Sequence, residues 1–350
     1  MMHRDLSIID ILKFASENHS LSEVVSLRTE GDMHRYNYTD CLSRVCKLAN
    51  ALVGLGIKKG DRIATLAWNG YRHLELYYGI SGIGAVCHTI NPRLSPEQML
   101  YIIEHAGDRL LFVDTTFVPI IEKLIPKLPK NLVIIVMASS DDSSTLSDNF
   151  LNYEQLILES SHDIIWPELP ENTAAGLCYT SGTTGNPKGA LYSHRSTVLH
   201  ALTTSLNLGP SLGDGMKVLP VVPLFHVNAW GLPYAAPLTG TSLIFPGPNL
   251  DGASLFDLMD QENVNSAWGV PTVWLGLLEE IRKQERVPSQ FQNVVIGGSA
   301  APKSMIEEFE SLGITVCHAW GMTEMSPVGT QGFLPGSMKK ALSQDEQISK

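Results

Sequence analysis

The sequence predicts an α/β protein made of two packed α/β lobes with mostly parallel sheets. Short apolar runs of strand length alternate along the chain with amphipathic segments of helical length. Parallel neighbours need a crossover connection, so this alternation implies repeated βαβ units. The composition agrees: 44% hydrophobic against 17% charged residues allows a large core and excludes global disorder. At about 100–200 residues per domain, the 350-residue chain makes two or three packed units.

The apolar runs read as strands at 62–67, 109–114, 132–137, 174–180, 218–223, 242–245, 265–269, 293–297 and 315–319. Helical patterns include 39–55, 96–105, 195–206, 254–262, 273–284 and 303–312. The run 139–148 (SSDDSSTLSD) is polar and turn-rich and reads as a surface loop. Two prolines interrupt the pattern near 167–172 and mark a lobe boundary. The expected division is therefore 1–170, 171–331 and a polar tail, 332–350, without a buried-strand pattern and read as disordered.

Charge and cysteine usage exclude several classes. A formal net charge of −11 argues against nucleic acid as a partner and against a polybasic membrane anchor. The five cysteines are odd in number, dispersed and without a C-x-x-C pair, so neither a zinc site nor a disulfide framework is expected. Reduced thiols point to a cytoplasmic location. Charges break the N-terminus too often for a secretory signal, and the longest apolar stretch, 131–138, is too short to cross a bilayer.

The strongest chemical signal is residues 179–189, Y-T-S-G-T-T-G-N-P-K-G, between an apolar strand and a helical pattern. Gly182 and Gly185 permit close backbone approach. Thr180, Ser181, Thr183 and Thr184 set four hydroxyls beside exposed amides, and Lys188 adds a positive charge. Together they make a polyphosphate cradle. Pro187 before the lysine and Gly189 after it exclude the G-x-x-x-x-G-K-[ST] P-loop. A lone Gly/Thr loop is usually a surface turn; the extended ordered motif after a strand favours the cradle.

Three more stretches follow: PLFHVNAW at 223–230, GGSAAP at 297–302 and WGMTEMSP at 320–327. With the phosphate loop, and in this order, they resemble the adenylate-forming (AMP-binding) superfamily, which includes acyl-CoA synthetases, luciferases and peptide-synthetase adenylation domains. The resemblance spans at least residues 60–327. It implies the N-terminal part of such an enzyme, with ATP, Mg²⁺ and a small carboxylic acid as ligands and coenzyme A as co-substrate. Medium- and long-chain fatty acyl-CoA synthetases are the nearest in character, and residues 68–94 are similar to ligases acting on methylthio-propionate.

Roles follow by the same resemblance. The loop residues Thr180, Ser181, Gly182, Thr183, Thr184, Gly185 and Lys188 hold the phosphates. Gly298, Ser299 and Ala300 lie on the adenine side, Trp320 stacks on the base, and Gly321, Met322 and Thr323 complete the site. Glu324 with Thr183 or Thr184 binds magnesium, in keeping with that ion's preference for a few hard oxygens plus waters and phosphates. His226, Val227 and Trp230 meet the acid, Trp230 as a tunnel gate. Lys188, His226 and Glu324 are the catalytic candidates. Alone, His226 and Trp230 would read as core residues; the motif moves them to the substrate side. No acidic residue stands near His226, and burying an ammonium without a partner is costly, so an apolar acid is favoured over an amino acid.

Only 23 residues follow Pro327. The resemblance implies a β-barrel subdomain, a ribose-binding aspartate, a hinge and a mobile C-terminal domain with a further lysine, all largely or wholly absent here. Apolar surface left uncovered would favour a homo-oligomer. The expected function is ATP-dependent activation of a fatty or methylthio-alkanoic acid. The alternative is a nucleotide- or acyl-binding module without turnover.

Overall fold

The computed structural model describes residues 3–140, 150–180, 185–207, 211–332, 336–342 and 346. Among them are fifteen strands. In chain order these are β1 (Glu23–Leu27), β2 (Met33–Asn37), β3 (Arg62–Leu66), β4 (Val86–Thr89), β5 (Asp108–Asp114), β6 (Val133–Met137), β7 (Phe150–Asn152) and β8 (Ala174–Tyr179). They continue as β9 (Gly189–Ser193), β10 (Lys217–Pro220), β11 (Ser242–Phe245), β12 (Ser266–Gly269), β13 (Asn293–Ile296), β14 (Thr315–Gly321) and β15 (Val328–Gly332).

One sheet runs β7-β6-β5-β3-β4-β8-β9 and the other β15-β14-β13-β12-β10-β11-β1-β2. Pairing is parallel throughout both interiors; the β8–β9, β14–β15 and β1–β2 pairs at the edges are antiparallel. Helices supply the crossovers. Pro96–Ala106, between β4 and β5, starts with a capping box, Ser95 and Gln98 each bonding the other's backbone N–H, and ends on left-handed Gly107. The largest cluster of buried apolar side chains, with Leu48, Tyr77, Phe112 and Trp268, includes residues of both sheets and of the helices packed with them.

The two sheets do not part at residue 170. β1 precedes the first sheet's strands in sequence but pairs with β11, Val25 opposite Ile244. β8 and β9 come after residue 170 yet extend the first sheet through the β4–β8 pair. A composition break at paired prolines marks a surface crossing, whereas sheet membership is set by pairing between distant residues.

The expected strands are all present, 242–245 with the same ends and the others with one or both ends shifted. β1, β2, β4, β7, β9 and β15 were not read from the sequence; they are short, and β2, β9 and β15 are largely exposed, so none carries a long apolar run. The helix Tyr71–Gly82 is buried on every side. It therefore has no polar stripe to reveal its period. Its charged residues are paired: Glu75 accepts from Arg44 Nε at 2.6 Å and Tyr153 Oη at 2.5 Å. The loop 139–148 falls mostly outside the described residues. In the tail read as disordered, Gly336–Ala341 form a short helix. No helix among the described residues is long and apolar enough to cross a membrane.

Candidate active site: two cavities that meet at His226

β8 delivers the glycine- and threonine-rich loop, and β9 carries the chain back beside it. Tyr179 is in register with Gly189, and Thr180 N donates to Lys188 O at 2.9 Å. The segment is thus the turn of a β-hairpin. The helix expected at 195–206 is His194–Asn207; the strand β9 between the loop and that helix was not expected. β9 escaped notice because it buries little of its length. Ser181, Gly182, Thr183 and Thr184 lie outside the described residues.

The segment 220–225, which leads to His226, is held by Asn69, Tyr77 and Thr89. Asn69 Nδ2 donates to Pro220 O at 2.7 Å and Val222 O at 2.9 Å, and its Oδ1 accepts from Leu224 N at 2.7 Å. Tyr77 Oη donates to Leu224 O at 2.5 Å, and Thr89 Oγ1 to Phe225 O at 3.3 Å. Sequence reasoning missed these three positioning residues. The one available signal was Asn69, a polar side chain just past the end of an apolar strand.

Beyond His226 the backbone turns left-handed at Val227, Asn228, Ala229 and Trp230, with φ between 45° and 55°. Each such non-glycine residue costs roughly 1–2 kcal/mol. Strain of this kind persists where surrounding structure holds it, characteristically at functional sites. Cys178 Sγ donates to Asn228 Oδ1 at 3.5 Å inside the turn. Gly231 closes it at φ 82°, where a Cβ would strike the His200 ring at 2.5 Å.

The turn walls a cavity of about 220 Å³ against the ends of β12, β13 and β14. Trp230, Trp268, Val295, Gly297 and Ala319 form its apolar side; Gly298 and residues Trp320, Gly321, Met322 and Thr323 border the rest. A second cavity of about 200 Å³ is lined by Thr89, Asn91, Tyr179 and Thr180 at the root of the phosphate loop. His226 and Thr323 belong to both. Tyr192 Oη donates to Thr323 O at 2.5 Å and fixes that shared wall.

His226 opens onto the cleft, yet burial by its surroundings and then the charge of Arg93 lower its pKa. It is therefore neutral at physiological pH and can donate or accept one hydrogen bond. Trp320 is 54% exposed, so a ring face is free for stacking. At Gly321 an added Cβ would lie 2.1 Å from Pro327 O, which makes this close crossing of chains a glycine position.

Of the predicted site residues that are described, His226, Val227, Trp230, Gly298, Trp320, Gly321, Met322 and Thr323 gather around one cavity and Thr180 lines the other. Gly185, Lys188, Ser299, Ala300 and Glu324 are exposed and line neither cavity. Lys188 and Glu324 have no ion-pair partner among the described residues. No group of three or more His, Cys, Asp or Glu placed to hold a metal occurs among the described residues.

The chain belongs to the AMP-binding enzyme family, which matches residues 14–347. It is 48% identical over 351 aligned residues to a medium-chain-fatty-acid–CoA ligase of Ectopseudomonas oleovorans, covering 100% of this chain and 64% of the relative. It is 45% identical to a 3-methylmercaptopropionyl-CoA ligase of Ruegeria lacuscaerulensis, covering 99% and 65%. The fold is similar to that of the anthranilate CoA ligase AuaEII in complex with anthranoyl-AMP, at TM-score 0.84 and 21% identity, over 96% of this chain and 63% of that one. The chain spans less than two thirds of the length of these curated relatives.

Proposed function

We propose that the chain carries the acid-activating part of an AMP-forming acyl-CoA ligase. The observation that supports it best is the meeting of the two cavities at His226 and Thr323. One begins at the root of the loop, at Tyr179 and Thr180; the other has an apolar side formed by Trp230 and Trp268. An acid whose tail enters the apolar cavity brings its carboxylate to the shared wall, beside phosphates held by the loop.

A carboxylate oxygen then bonds to the α-phosphorus of ATP as the bond to pyrophosphate breaks. The product is the mixed acyl–phosphate anhydride, and in the whole protein coenzyme A displaces AMP from it. Little covalent work falls to the protein, which contributes positioning and charge complementarity. Neutral His226 hydrogen-bonds the acid's head group, loop hydroxyls and Lys188 hold the phosphates, and Trp320 stacks on adenine. Val227 and Trp230 bound the tail.

Glu324 fits the magnesium role in its chemistry. It is an exposed carboxylate without a cationic partner among the described residues, beside Thr323 at the shared wall. Thr183 or Thr184 would add a hydroxyl. When bound with the nucleotide, the ion neutralises charge on phosphate oxygens.

The acid class we favour is a fatty or thioether-bearing alkanoic acid, the kind of substrate named for the relatives above. The test is pyrophosphate release by the chain with MgATP and a panel of acids, beside calorimetric ATP binding. Acid-dependent release supports the reading. ATP binding without release marks the chain as a nucleotide-binding module instead.

A further inference from the structure

One histidine ring joins two of the segments that wall the apolar cavity. Val227 and Trp230 line it from the left-handed turn, and Pro327 and Val328 from the segment that enters β15. His200, on the helix His194–Asn207, meets both. Its Nδ1–Cε1 edge packs on Gly231, where an added Cβ would lie 2.5 Å and 2.6 Å from those atoms. The neighbouring ring atom, Nε2, accepts from Val328 N at 3.2 Å. In the neutral ring that bond puts the proton on Nδ1. Burial pushes the His200 pKa down to about 4, so at physiological pH the ring is neutral and Nε2 stays an acceptor. Gly321 pairs with Val328, and the β14–β15 register shifts between Trp320 and Gly321, so the ladder is irregular at the place His200 holds. The nucleotide side of the same segment has a separate anchor, the hydrogen bond from Tyr192 Oη to Thr323 O.

We propose that His200 is a positioning residue for the acid pocket, holding the turn that carries Trp230 and the segment that carries Val328 in one fixed relation. This rests on the reading of the cavity as the acid pocket. His200 does not line the cavity, so it acts through these two segments and not by touching the acid. Without its acceptor, the Val328 N–H is left unpaired or the segment moves to find another partner. Either change alters a wall against which the tail packs. A displacement of about 1 Å remote from the reacting atoms can cost up to about 10²-fold in a well-fitted site. Side-chain length separates this role from simple space filling. Glutamine sets its amide oxygen near the position of Nε2, whereas asparagine reaches only as far as Nδ1.

The test is calorimetry with hexanoate, octanoate and decanoate in the presence of a non-hydrolysable ATP analogue, below each variant's melting transition. His200→Asn should bind the preferred acid about tenfold more weakly, with a flattened preference among the three tails. It should bind the ATP analogue alone as wild type does, because Tyr192 still anchors Thr323. His200→Gln should recover most of the loss. NMR of wild type with ¹⁵N-labelled histidine covers the case in which a variant does not fold. The His200 ring, assigned through its contact with the Val328 N–H, should show Nδ1 protonated and Nε2 bare, and its signals should shift when acid joins the analogue-bound protein. The proposal is overturned if His200→Asn keeps wild-type acid affinities, if it weakens the ATP analogue as much as the acid, if His200→Gln is no better than His200→Asn, if Nε2 carries the proton, or if acid leaves the ring signals unmoved. If the ATP analogue binds wild type and no acid does, the acid-pocket reading itself fails and takes the proposal with it.

Discussion

The Trp230 ring lies so close against Gly297 that a Cβ added to that glycine would come within 2.9 Å of Cη2, and within 3.0 Å of Ala319 O on the other side. One contact is a buried ring and the other is backbone, so neither yields cheaply. Gly297→Ala should cost about 1–3 kcal/mol, as overpacking does. It should also narrow the tail cavity. Acid binding is expected to weaken and shift toward shorter tails while ATP affinity holds. Thermal melting and paired titrations check both; unchanged acid affinity would remove Gly297 from the pocket wall.

Asn69 ties the end of β3 to the segment that presents His226. Asn69→Ala leaves two carbonyls and an N–H unpaired in a buried place. At about 1–3 kcal/mol for each unsatisfied group, the variant should lose at least 2 kcal/mol. Acid-dependent pyrophosphate release should fall further than ATP binding, since the loosened segment carries the head-group histidine. Melting curves and release assays below the variant's transition test this.

Much of this architecture was legible in the sequence, and the remainder was hidden for identifiable reasons. The apolar runs announced the interior strands because parallel strands covered on both faces read as continuous Val/Ile/Leu. The edge strands β2, β9 and β15 bury little and gave no such run. Asn69, Tyr77 and Thr89 were invisible as a set because they meet at Val222, Leu224 and Phe225, about 150 positions away in the chain. The left-handed turn at 227–230 violates local propensity, and no local reading anticipates it. Of the motif residues, His226, Trp230 and 320–323 line one cavity and Thr180 the other, whereas Lys188 and Glu324 stand outside both and 181–184 lie outside the described residues.

Glu324→Gln removes a hard anionic oxygen from an exposed position. The melting temperature should stay within about 0.5 kcal/mol equivalent of wild type, as for surface substitutions. Magnesium-dependent ATP binding should weaken several-fold. Titration of MgATP and of metal-free ATP against both proteins checks it; equal MgATP affinity would remove Glu324 from the metal site.

Asp114 gives a pH signature. Burial is the main cause that pushes its pKa up to about 7, against the hydrogen bond its Oδ2 accepts from Trp68 N. The unfolded chain releases this proton near the ordinary value of 3.8, and the folded chain keeps it to about 7. The associated stability is therefore present at low pH and lost as pH rises through that window. Asp114→Asn has no proton to lose. Relative to wild type, it should gain roughly 2–4 kcal/mol between pH 4 and pH 7. Melting both proteins across that range tests the sign; a gap that is flat or narrows with pH would refute it.

The attack of a carboxylate oxygen on the α-phosphorus of ATP leaves an isotopic record. The chain is incubated with MgATP and an acid labelled with ¹⁸O in its carboxylate, the adenylate is cleaved by nucleophilic attack at its carbonyl carbon, which leaves the bridging oxygen on AMP, and the nucleotide is examined by mass spectrometry. We expect AMP carrying one ¹⁸O atom, formed together with pyrophosphate and only when acid is present. Label recovered in inorganic phosphate with ADP as the nucleotide product, or AMP without label, would contradict acid activation through an acyl-adenylate.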